Sequence, residues 1–111
     1  MDKKTLNVDF KGREIVLKQM LGSKVFCEYG YDYFSLKFIV NDTEKYPYEV
    51  RVPIEMRAFQ RDSSPILFLI HIVEGRVDEL EILTADSSKL ILGNIELNSV
   101  EYVINDEVKY Y

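Results

Sequence analysis

The spacing of apolar residues changes from helical to alternating at Gly22, and that change predicts the elements of the chain. Between Phe10 and Leu21, the residues Phe10, Ile15, Val16, Leu17, Met20 and Leu21 fall largely on one helical stripe, with Lys11, Arg13, Glu14, Lys18 and Gln19 between them. Gly22-Ser23 follows, and Gly is favoured just beyond a helix C-terminus. One short amphipathic helix is therefore expected over residues 11 to 21. Ahead of it, Leu6, Val8 and Phe10 alternate with Thr5, Asn7 and Asp9, which predicts a short leading strand.

Beyond Gly22 the period is two. Val25 to Tyr29 and Tyr33 to Val40 read as strands joined by a Gly30-Tyr31-Asp32 loop. Tyr48 to Phe59 alternates Val50, Val52, Ile54, Met56 and Ala58 with Glu49, Arg51, Glu55 and Arg57, so one face is expected buried and the other wet. Pro53 donates no ladder hydrogen bond and predicts that this strand is an edge or that Pro53 marks a bulge. Pro65 to Val73 is apolar on both faces, as a central strand would be. Glu74-Gly75 is a two-residue turn, after which Arg76 to Thr84 returns with Leu80 and Ile82 on one face and Val77, Glu79 and Glu81 on the other. Asp86-Ser87-Ser88 reads as a loop and Lys89 to Leu92 as a short apolar segment. Val100 to Ile104 and Val108 to Tyr111 flank Asn105-Asp106 as a last hairpin. Nothing suggests a repeat or linker, so residues 1 to 111 are expected to form one α+β domain. Its architecture is one short amphipathic helix packed on an antiparallel meander sheet of about five strands.

Three stretches carry a resemblance. They are Val50-Arg51-Val52-Pro53-Ile54-Glu55, the run Pro65 to Ile72 containing His71, and Glu74-Gly75-Arg76-Val77-Asp78-Glu79-Leu80-Glu81-Ile82 leading to Ala85-Asp86-Ser87. Together they resemble an uncharacterised bacterial domain family with an Arg-Val-Pro-apolar-Glu strand, an apolar strand ending near His, and a Gly-Arg-x-x-Glu-Leu-Glu strand leading to Asp-Gly-Ser. Ser87 stands where that family commonly has Gly. The resemblance brings no catalytic residues. Similar motifs in small proteins encoded beside polymorphic secreted toxins imply an immunity role by analogy.

Composition narrows the function by exclusion. One cysteine, Cys27, and one histidine, His71, give no disulfide framework and no Cys/His zinc set. The five glycines are scattered, without a phosphate-cradling loop, and no cofactor or metal is expected. The Met-Asp-Lys-Lys-Thr start has no apolar signal core, and the apolar run at Ile66 to Ile70 is too short to span a bilayer, so a cytoplasmic protein without a membrane role is expected. A pI near 4.9 argues against nucleic acid, whose phosphates select basic surfaces. The net charge of −5 is uneven: residues 1 to 61 hold 11 basic and 9 acidic side chains, residues 62 to 111 hold 3 and 10.

His71 is where any histidine-dependent chemistry would converge, with Cys27 as the conceivable nucleophile; a hydrogen-bonded strand His and a buried, inert Cys are the preferred reading. Glu79 and Glu81 project from one strand face about 6 to 7 Å apart, a separation shared by glycosidase carboxylates and by any solvated strand. The expected binding surface combines Glu74, Asp78, Glu79, Glu81 and Asp86 with the aromatic residues Tyr31, Tyr33, Tyr46 and Tyr48 near turns. Such a surface would steer a basic protein partner, such as a toxin domain, to a non-enzymatic binding protein. The alternatives are a small enzyme or ligand-binding domain around His71, and a homodimer that pairs sheet edges or faces.

Overall fold

The structure, a computed structural model, describes residues 10 to 41 and 44 to 104. Helix α1 spans Arg13–Leu21. The strands are β1 (Lys24–Tyr29), β2 (Tyr33–Ile39), β3 (Ile54–Gln60), β4 (Pro65–Val73), β5 (Arg76–Thr84) and β6 (Ile95–Ile104), the last preceded by a 3-10 turn at Leu92–Asn94. They form one sheet in the order β1-β2-β5-β4-β3-β6, with every neighbour antiparallel. The α+β class is as expected, and among the described residues a single α-helix lies on an antiparallel sheet, but that sheet has six strands there and only β3 to β5 is a meander. β2 pairs with β5, so the chain crosses the sheet between β2 and β3, and residues 85 to 94 return it to the far edge.

Side chains paired across strands share a face. The pairs Leu36↔Leu80, Ile70↔Leu80, Phe68↔Ile82, Met56↔Phe68 and Ala58↔Ile66 define the covered face. Helix α1 and the crossover bury one half of it, where Val16, Met20, Tyr46 and Val50 cluster with Phe38, Ile54, Ile70, Ile72, Val77 and Leu80. On the other half, Leu90 and the β6 side chains Ile95, Leu97, Val100 and Tyr102 pack against Met56, Ile66, Phe68 and Ile82.

The entry to α1 needs a glycine. Gly12 has φ 80°, and a Cβ there would lie 2.3 Å from the Tyr46 ring. Tyr46 in turn donates its hydroxyl hydrogen to the Lys11 carbonyl at 2.7 Å. Gln19, read from sequence as part of the polar face, is fully buried, whereas Leu21, read as part of the apolar stripe, is 80% exposed. The amide of Gln19 donates to the carbonyls of Glu44 (2.9 Å) and Gly75 (3.0 Å), and its oxygen accepts from Val77 N–H (2.8 Å). The buried side chain thus has its hydrogen-bonding groups satisfied and ties the helix to the crossover and the β4–β5 turn.

Three further expectations change. Pro53 lies just before β3, where no ladder bond is lost, so β3 is an interior strand between β4 and β6 and the segment from Tyr48 is not continuous strand. β3 pairs with β6 through a register shift between Arg57 and Phe59, and a second shift follows His71 on β4, opposite Asp78. β6 begins at Ile95, earlier than Val100. The Glu74-Gly75 turn is confirmed, with φ 51° and 78°, values that suit a two-residue hairpin loop. The leading strand ahead of Phe10 and the second half of the last hairpin lie outside the described residues.

Candidate functional site

Opposite the covered face, no described element packs across the sheet. Its centre carries Ser35 and Lys37 from β2, Glu79 and Glu81 from β5, and Leu69 and His71 from β4, because Ser35↔Glu81, Lys37↔Glu79, Leu69↔Glu81 and His71↔Glu79 are register partners. Ser35 Oγ donates to Glu79 Oε2, and Lys37 Nζ stands 3.4 Å from the same oxygen. Burial pushes the Glu79 carboxyl up, but the Ser35 hydroxyl and the Lys37 ammonium outweigh it and hold the group below its ordinary value. The Glu79 carboxylate reciprocally raises Lys37. His71 Nε2 lies 2.9 Å from Glu81 Oε1, and Arg51 Nε makes a longer 3.5 Å contact to Nδ1. In the tautomer that carries its proton on Nε2, His71 donates to Glu81 and leaves Nδ1 to accept from Arg51.

Around this polar centre the same face presents Phe26 (55% exposed), Ile39, Tyr33 and Phe59 (51% exposed), with Val103 beyond the Glu55–Arg57 ion pair. Polar groups at the centre and exposed apolar side chains around them are the two components of an interaction surface, though in the reverse of the usual arrangement of apolar core and polar rim.

The structure brings together only part of the predicted set. Glu79 and Glu81 share the centre, and Tyr33 borders it. Glu74 lies in the turn that opens β5 and Asp86 follows its other end, so a nine-residue strand, roughly 30 Å at ~3.4 Å per residue, separates them. Asp86 accepts from the Ser88 hydroxyl at 2.6 Å and its backbone N–H at 3.1 Å, and these bonds lower its pKa. Asp78 is half-buried at the β4–β5 irregularity. Tyr31 is 68% exposed in the β1–β2 loop. Tyr46 is fully buried and Tyr48 half-buried against it, edge to face with centroids 5.3 Å apart; Tyr46 is corrected from surface to core because its ring closes the Gly12 corner.

Sequence reasoning did not single out Ser35, Lys37 or Arg51, although the alternation of Phe34, Leu36 and Phe38 with Ser35 and Lys37 already places the first two on the opposite face. Cys27, expected to be buried, is exposed, because cover of the sheet stops short of β1. It pairs with Leu36 on the covered side while His71 projects from the opposite side, so the two do not form a catalytic pair. A separate cleft of about 470 Å³, lined by Lys45, Tyr46, Pro47, Glu74 and Gly75, sits at the β4–β5 turn. Among the described residues no helix is long and apolar enough to cross a membrane.

No protein-family model, curated protein or solved structure matches the chain.

Proposed function

We propose that the protein is a non-enzymatic, cytoplasmic binding domain that engages a basic protein through the open face of its sheet. The observation that carries this reading is the central pair Glu79 and Glu81, held in place by Ser35, Lys37 and His71, with Tyr33 beside it and Phe59 exposed farther out on the same face. Fixed carboxylates suit recognition, since the side chains are ordered before a partner arrives and less conformational freedom is lost on binding. The exposed rings supply apolar area of the kind that dominates interface energetics. A toxin's catalytic domain is the special case implied by the sequence resemblance, and the bacterial immunity role belongs to that case.

The test is capture from the host's lysate at low salt, with the wild-type chain and a Glu81→Lys, Phe59→Ser variant as parallel baits. Thermal unfolding verifies that the variant is folded. One basic protein retained by the wild type, released by added salt and lost with the variant, is the expected result. Equal retention of that protein by a folded variant would show that the open face is not the binding surface.

A further inference from the structure

Strand β1 is the least protected part of the sheet. All six residues are exposed, including Val25 (49%), Phe26 (55%) and Tyr29 (77%), and among the described residues no strand lies on its outer side. Exposed apolar edges of this kind pair with other strands unless charge, proline or a bulge prevents it. β1 has neither proline nor an irregular register, and its two charged residues are Lys24 near one end and Glu28 near the other.

The backbone says which registers are open to it. Gly30 N–H donates to Tyr33 O at 3.0 Å, so the even-numbered residues of β1 direct their amides and carbonyls toward β2. Val25, Cys27 and Tyr29 therefore direct theirs outward. An antiparallel pair of identical strands about a twofold axis must match outward residues with outward residues, which leaves Phe26 or Cys27 on the axis as the central choices. With Cys27 on the axis, Phe26 faces Glu28 of the second copy. With Phe26 on the axis, Lys24 of each copy faces Glu28 of the other, Phe26 faces Phe26, and Val25 exchanges hydrogen bonds with Cys27. Only the second register satisfies both charges and stacks the two rings, which would meet at a non-hydrogen-bonded position where side chains are closest.

We propose that two copies of this chain associate through β1 in this register, making one continuous antiparallel sheet with both Lys24–Glu28 pairs formed across the twofold. The partner is thus a second copy of the chain, and the inference stands independently of the open-face reading. Lys24, Phe26 and Glu28 lie on the open face beside Ile39, Lys37 and Ser35, so association would also make the open faces of the two copies contiguous.

Sedimentation equilibrium over a concentration series tests the association. The wild type is expected to dimerise, and Lys24→Glu or Glu28→Lys alone should weaken the dimer at least about tenfold, since each puts like charges opposite at two symmetric places. The two single variants, mixed, should pair with each other, because the strand carrying two carboxylates then faces the strand carrying two ammonium groups, with opposite charges matched at both places. Register is read by mild diamide oxidation: Phe26→Cys in a Cys27→Ser background should give a disulfide-linked dimer, whereas the wild type, with Cys27 opposite Val25, should not. A wild type that remains monomeric throughout, single reversals without effect, or cross-linking through Cys27 in preference to position 26 would overturn the proposal.

Discussion

Strands β4 and β5 carry two different surfaces on the same backbone. Toward α1 they present Ile70, Ile72, Val77 and Leu80, all at 2% exposure or less, in a dry cluster. Toward the open side they present Leu69, His71, Glu79 and Glu81, half-buried and mostly hydrogen-bonded to one another or to β2. The difference teaches how the sheet divides its tasks. The covered side is held by loss of water from apolar area, and the open side by paired polar groups whose net contribution is small but whose positions are well defined.

The sharpest way to break this division is to truncate adjacent residues that project to opposite sides. Ile70→Ala should destabilise the fold by about 2 to 5 kcal/mol by leaving a cavity under the helix, while Leu69→Ala should cost about 1 kcal/mol or less. Urea unfolding of both variants makes the comparison, and equal losses would show that the open side is also core. Next in size is a polar side chain fully buried on the covered side. Gln19→Ala leaves Val77 N–H without its buried partner, while the Gly75 carbonyl keeps the Tyr46 N–H, and should cost about 2 to 3 kcal/mol by the same measurement.

The smallest effect concerns the open side and is read against pH. Glu79 has a folded pKa below its ordinary 4.5, so its stabilising contribution is fully present above that value and is lost as pH falls through the folded pKa. Glu79→Gln should therefore remove part of the acid-induced loss of stability below pH 4.5 and leave the apolar cluster intact. An unchanged stability profile between neutral and acid pH would mean that Ser35 and Lys37 do not stabilise the carboxylate.

Much of this division is legible in the chain because strand alternation records which side is dry. The runs Phe34-Leu36-Phe38 and Ile66-Phe68-Ile70-Ile72 correctly mark the covered face, and the apolar character of β4 on both sides marks its interior place. Legibility fails where a local pattern is overridden by distant contacts. Gln19 looks solvated until Gly75 and Val77, more than fifty residues on, supply its partners. β6 keeps Ile95 and Leu97 and then Val100 and Tyr102 against the same cluster, but the intervening shift in register breaks the alternation and conceals its first half. The acidic stretch from Glu74 to Asp86 is contiguous in sequence, yet an extended strand disperses its ends, and cross-strand register selects only Glu79 and Glu81 for the centre.

The contact between Gly12 and Tyr46 imposes an order on descent. A side chain at position 12 would have to occupy the space of the ring and adopt φ 80° as well, so any lineage that keeps Tyr46 must also keep Gly12. The reverse dependence is weaker, since losing the ring opens space that a glycine tolerates. Change at this corner of the fold is therefore expected to begin at Tyr46, and Gly12 can follow only after the ring has gone.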